Sequence, residues 1–238
     1  MPAERGSAPT RGTWLLEVWR SSIGKKVIVA ITGFVLVIYV VLHVLGNLKA
    51  FQGDDGTAID DYAAWLRDVG EPVIPHEGVL WAVRVVLLTC FVIHIVAVIQ
   101  LAARNRAARP SGYPAPRLVR SFSSRTMLWG GLLLLAFVVF HILHLTTGTI
   151  DPGNFAEGAV FHNLDEAFQN PLFVAIYVAA SAVLGFHLYH GFWSSIQTAG
   201  WDRPNRNPTF RRLSAFVAIA VGAGFAAVPV AFAVGILG

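Results

Sequence analysis

The chain has 238 residues, of which 55% are hydrophobic and only 13% charged. Apolar runs of about 20 residues are long enough to cross a hydrocarbon core of about 30 Å as helices, so a soluble globular class is excluded. The net charge of +4 does not point to nucleic acid, because the basic residues fall in particular connecting segments. Cys90, the only cysteine, excludes an internal disulfide and any cysteine cluster or zinc site built by this chain alone.

In chain order, residues 1–26 form a mixed polar segment ending in Lys25-Lys26, without the short apolar core and small-residue cleavage site of a signal peptide. Within it, Trp14 to Arg20 mixes aromatics and charges as an interfacial helix would. Five spans follow, over about 27–49, 79–103, 127–147, 172–198 and 213–237. The expected fold is a single all-α integral membrane bundle of five transmembrane helices.

Arginines and lysines precede the first span, fill the second-to-third connection (Arg104 to Arg125) and recur between the fourth and fifth spans (Arg203 to Arg212). The other two connections are acidic, from Asp54 to Glu77 and from Asp151 to Glu166. The positive-inside rule therefore places the amino terminus in the cytoplasm and the carboxyl terminus outside. In the first outer connection, Ile59 to Val69 is expected to form a short helix over the outer mouth. The second is expected to be a polar cap. The cytoplasmic loop Asn105 to Ser124, with Pro110, Pro114 and Pro116, is expected to be an irregular docking surface.

Four of the five spans carry histidine deep in apolar sequence: His43, His94, His141 with His144, and His187 with His190. A neutral imidazole in hydrocarbon needs a partner, so such residues are functional candidates. His76 and His162 fall in the connections, where solvation explains them. Thr32-Gly33 followed by nine residues and His43 is repeated as Gly131, nine residues and His141. Both these spans run outward, which sets His43 and His141 at one depth, about 22 Å from the cytoplasmic start. The second and fourth spans run inward and set His94 and His187 at a second, inner depth. Two histidine pairs at two levels, about 15 Å apart, is the arrangement expected of two stacked bis-histidine haems.

Small residues near the ligands, among them Gly33, Gly46, Gly130, Gly131, Gly185 and Gly191, would admit a porphyrin. The competing interpretation is a haem-free transport or binding protein with interhelical histidine hydrogen bonds. The absence of intramembrane carboxylates, the usual partners in ion relays, weighs against it. His144 and His190, each three residues beyond a candidate, stay open as alternative ligands, as partners of the ligands or as quinone contacts.

These residues carry a resemblance that covers nearly the whole chain. The run His43-Val-Leu-Gly-Asn-Leu-Lys-Ala-Phe, Tyr62-Ala-Ala-Trp-Leu-Arg, Leu80-Trp-Ala-Val-Arg, Ala108-Arg-Pro-Ser-Gly-Tyr, Phe140-His-Ile-Leu-His-Leu-Thr-Thr-Gly and His187-Leu-Tyr-His-Gly-Phe-Trp-Ser-Ser-Ile-Gln-Thr resemble the five-helix, two-haem cytochrome b anchor subunit of succinate dehydrogenases and fumarate reductases. The resemblance implies haem b ligation by His43 with His141 (outer) and by His94 with His187 (inner). The family pattern of His187, Gly191 and Gly200 favours His187 over His190. It also implies cytoplasmic flavoprotein and iron–sulfur partners, a quinone (menaquinone or ubiquinone) as electron acceptor or donor, and the inner (cytoplasmic) membrane as location. In one respect the chain departs from the family: Gly185 stands where fumarate reductases that move protons with electrons carry glutamate two residues before the fourth-span ligand.

No dicarboxylate or flavin site is present, so catalysis would belong to the partners. For quinone, Trp19, Ser22, Lys25, Trp193 and Gln197, with Ser21 and Ser194, are the expected cytoplasmic-side residues. Asn47, Lys49, Tyr62, Trp65, Trp81 and Arg84 surround the outer level. The anchor cytochrome of a formate dehydrogenase or hydrogenase is the alternative respiratory assignment. The fifth span has no histidine and is expected to be packing support.

Overall fold

A computed structural model describes residues 11–53, 56–107 and 122–238. Of the irregular loop expected over Asn105 to Ser124, residues 105–107 are the last of α4 and 122–124 the first of α5, while 108–121, including the 108–113 motif, lie outside the described residues, as do Asp54 and Asp55. All regular structure among the described residues is helical. Eight α-helices occur: α1 Arg11–Arg20, α2 Ser22–Asn47, α3 Thr57–Asp68, α4 Gly78–Ala107, α5 Phe122–His141, α6 Val160–Phe168, α7 Pro171–Thr198 and α8 Asn207–Ala233. Five of them, α2, α4, α5, α7 and α8, are long and apolar enough to cross a membrane.

The helices outrun the expected spans at several ends because hydropathy marks the apolar length, whereas the hydrogen-bond ladder continues into polar residues until a cap stops it. Ser21 caps α2 by accepting from Gly24 N at 2.8 Å. Asn170 caps α7 in the same way, ahead of Pro171, whose missing N–H costs nothing in the first turn. The last helix starts six residues before the expected boundary, at Asn207-Pro208, and ends at Ala233, before Gly235 with its positive φ.

Packing places α4 against α2, α5 against α7, and α2 against α7, with α8 behind both α2 and α7. The α7–α8 contact depends on small residues: a Cβ at Gly185 would stand 3.3 Å from the Ala218 carbonyl oxygen, and one at Gly222 3.2 Å from that of Ser181. Gly224 likewise lets α8 close on Val44 of α2. The remaining faces of α4 and α5 present Val85, Leu88, Val92, Trp129, Leu133 and Val139 outward, as a lipid-facing surface requires.

At one end, α1 turns into α2 through Ser21, and a Cβ at Gly24 would collide with the Val18 carbonyl. At the other end α3 and α6 interlock. Asp60 Oδ1 accepts from Phe161 N at 2.9 Å, and Gly56, at φ 74°, leaves room for the Phe161 ring. The α3 helix matches the short helix expected over the mouth. The expected polar cap is instead partly apolar: Leu164, Ala167 and Phe168 of α6 join Ile59, Val228 and Phe232 in a buried core. Of the polar residues of α6 Asn163 is buried as well, bonded to both backbone groups of Ala156, while the rest are exposed or partly so, and the acidic connection therefore contains an amphipathic helix.

Candidate functional site

The histidines fall on two levels. Gly33 of α2 lies against His94 of α4, where a Cβ would stand 3.2 Å from the ring Cε1. Gly131 of α5 lies against His187 of α7 in the same way, at 3.5 Å. The two residues expected to pair thus each lie against the equivalent glycine of the α2/α5 repeat.

Ten residues further along α2 stands His43, about 15 Å away along the helix. Its ring is 6.0 Å from that of His141, and the two planes are 80° apart. Tyr39 stacks on His43 at 5.3 Å and Phe225 lies at 5.5 Å, while Phe137 stacks on His141 at 5.9 Å. The second expected pair is brought together, in an aromatic wall.

His144 goes elsewhere. The helix changes after His141 to a π-turn over Ile142–Thr146, whose wider step rotates His144 away from the face of His141. It is 3% exposed, packs on Phe173 at 4.3 Å, and its Nδ1 is 3.1 Å from the Tyr177 hydroxyl. That hydroxyl is also 3.4 Å from His141 Nδ1. Tyr177 has one proton to donate and lone pairs to accept, so it serves both imidazoles. His144 is thus a partner of a partner rather than a member of the facing pair. His190, half-buried, lies three residues beyond His187 on the same helix.

The donor set fits haem. The His43 and His141 rings are 6.0 Å apart between centroids, a separation at which both could bind one metal ion with bonds of about 2 Å. At the other level His187 Nδ1 is buried without a hydrogen-bond partner, so that ring lacks the anchor at its second nitrogen that metal-ligating histidines usually have. Gly33 and Gly131 keep the flanks of those rings free of side chains. Neutral nitrogen donors without carboxylate or thiolate suit haem iron better than a hard cation.

The orientation of His94 is also set. Thr32 Oγ1 donates to the Ile28 carbonyl at 2.7 Å, so its lone pair is free to accept from His94 Nδ1–H at 3.2 Å. That leaves Nε2 as the ligating nitrogen. Thr32 was visible in the sequence only as part of the repeat, and Tyr177 not at all. A tyrosine within the apolar start of the fourth span was the available signal, since a buried phenol needs a partner.

The residues expected to bind quinone separate into two groups. Trp19, Ser22 and Lys25 gather with Arg104: the Lys25 ammonium donates to the Trp19 carbonyl and lies 4.5 Å from the centre of its ring, and Arg104 reaches the Arg20 carbonyl at 2.7 Å and Ser22 Oγ at 3.5 Å. Trp193 is instead covered by Arg211 at 4.7 Å, and Gln197 donates to Asp202 at 3.1 Å. At the α3/α6 end the polar residues form local pairs, Lys49 over Tyr62 at 5.5 Å and Arg84 over Trp81 at 4.8 Å. Asn47 donates to the His43 carbonyl at 2.8 Å, and Tyr62 and Trp65 stack at 5.9 Å.

His76, expected to be merely solvated, sits exposed 3.1 Å from both Asp68 and Glu71, as a surface ion-pair group. His162 is exposed, as expected. Cys90 is a free, partly buried thiol on α4. No family model, curated protein or solved structure matches this chain.

Proposed function

We propose that this chain is a two-haem cytochrome b membrane anchor. The observation that carries the reading is His43 facing His141 at 6.0 Å, with His94 and His187 set against the equivalent glycines Gly33 and Gly131 about three helical turns away. Its particular place is in a succinate:quinone oxidoreductase of the respiratory chain and tricarboxylic acid cycle, a reading supported by the sequence resemblance and by the lack of any dicarboxylate site of its own.

Haem at each level supplies one-electron transfer across the membrane interior. The chain's own residues would orient it: Thr32 bonds the His94 ring and the Tyr177 hydroxyl the His141 ring. Charge bias puts the α1 end in the cytoplasm, beside the flavoprotein and iron–sulfur partners, and the α3/α6 end outside the inner membrane. On that orientation His94 and His187 form the inner pair. Trp19, Ser22 and Lys25, joined by Arg104, are then the better quinone candidates, because they converge while Trp193 and Gln197 are engaged elsewhere. Gly185 offers no carboxyl for the proton route that glutamate provides in the resembling fumarate reductases, and its position packs closely on the α8 backbone.

The test is purification of the chain with its natural partners, followed by addition of substrate. Succinate is expected to reduce b-type haem in a complex containing a flavoprotein and an iron–sulfur protein. Reduction by formate or hydrogen instead would assign the anchor to another respiratory dehydrogenase, and a protein without haem would return it to the transport class.

A further inference from the structure

The repeat that relates α2 to α5 is imperfect at one position. Thr32-Gly33 precedes His43 with the spacing at which Gly130-Gly131 precedes His141, so Gly130 stands in the register of Thr32. The difference falls on the His94–His187 level. His94 Nδ1 has a hydroxyl partner at 3.2 Å, whereas His187 Nδ1 is buried with none.

We propose that Thr32 and the hydroxyl-free Gly130 give the two imidazoles of this level unequal donor strength, and that this asymmetry sets the redox potential of the haem they hold. The inference rests on the reading of the level as a haem site. Thr32 and Gly130 are positioning residues; neither touches the iron.

The physical reason is the coupling between the two ring nitrogens. An imidazole whose Nδ1–H is held by an acceptor is the more basic at Nε2 and favours the oxidised iron. Thr32 is committed to accepting, because its own proton goes to the Ile28 carbonyl. His187 lacks that support, so the level sits at a higher potential than a pair anchored on both sides. Packing does not demand glycine at 130: an added Cβ would meet only Val183 Cγ1, at an ordinary 3.6 Å. A serine there would stand in the register of Thr32, from which its hydroxyl is expected to accept from His187 as Thr32 accepts from His94.

The experiment is a redox titration of both haems in the intact purified complex, comparing the natural chain with Thr32→Val, Thr32→Ser and Gly130→Ser. Thr32→Val keeps the shape and removes the acceptor. It is expected to raise the midpoint of one haem, moving its reduced-to-oxidised ratio about fivefold, the worth of one ordinary hydrogen bond. Gly130→Ser is expected to lower the same midpoint by a similar factor, and Thr32→Ser to leave it in place. The His43–His141 haem stays put in all three. Unmoved midpoints, shifts of equal sign in Thr32→Val and Gly130→Ser, or a shift confined to the other haem would overturn the proposal. Should Thr32→Val fail to load haem, Gly130→Ser, which adds a contact, carries the test alone. A natural complex without haem would instead overturn the reading on which the proposal stands.

Discussion

His141 faces His43 at 6.0 Å across the bundle, while His144, three residues on, turns its ring into Phe173 and Tyr177. Two histidines that the sequence places almost side by side thereby take different roles. One is free to ligate and the other is packed into the protein.

Replacing His43 or His141 by alanine is therefore expected to remove one b-type haem and spare the other. His94→Ala and His187→Ala are expected to remove the complementary haem, and His144→Ala neither. Pyridine haemochrome content of the purified variants, falling from two to one per chain, checks this. Loss of both haems from a folded single variant would contradict independent pairs.

Tyr177→Phe keeps the ring, which packs edge-on against Phe137 and Phe168 at 5.1 Å, and removes the hydroxyl shared by the two histidines. It leaves His144 Nδ1 buried and unpartnered, at a cost of about 1–3 kcal/mol. A lower thermal midpoint with both haems retained is expected, together with a changed low-spin signal for the His141 haem alone. An unchanged melting curve would show that the hydroxyl is not part of the buried network.

How much of this was legible in the sequence depends on the length scale. The five spans follow from apolar length, and the pairing levels from equal spacing along helices of opposite direction, both of which survive small errors in boundary. The short helix over the mouth was visible because Ile59 to Val69 has helical periodicity. The α6 helix was legible in principle, since Val160, Phe161, Leu164, Ala167 and Phe168 recur at helical spacing, but the acidic composition of the connection was read as a polar cap and its burial against α8 is a tertiary fact. The π-turn after His141 has no sequence signature, so His144 was expected on the ligand face. The separation of Trp193 and Gln197 from Lys25 is a matter of which helices adjoin, and spacing along the chain carries no information about that.

The junction of α3 with α6 makes its own prediction. Gly56 adopts φ 74° and a Cβ there would stand 2.1 Å from the Phe161 ring. Gly56→Ala combines a disfavoured backbone with a steric clash, and overpacking alone costs about 1–3 kcal/mol. Faster proteolysis in the α3–α6 region is expected, with haem at the His94–His187 level intact. Equal protease resistance would mean that this end is not held by the Gly56 contact.

Position 185 separates packing from proton transfer. Gly185→Ala places a methyl 3.3 Å from the Ala218 carbonyl and is expected to cost about 1–3 kcal/mol, while Gly185→Glu is expected to reduce the yield of assembled protein sharply. The thermal midpoint and membrane yield of the two variants report this. A stable Gly185→Glu protein with altered pH dependence of quinone turnover would show that α7 and α8 can part and that the route is recoverable.

The most direct test of the central claim is the haem-to-protein ratio of the detergent-purified chain with its partners, read with reduced-minus-oxidised spectra. Two b-type haems per chain, titrating as two separate midpoints, are the expected result. A correctly folded protein that purifies without a haem spectrum would contradict it, and the two histidine levels would then be interhelical hydrogen-bonding groups of another kind of membrane protein.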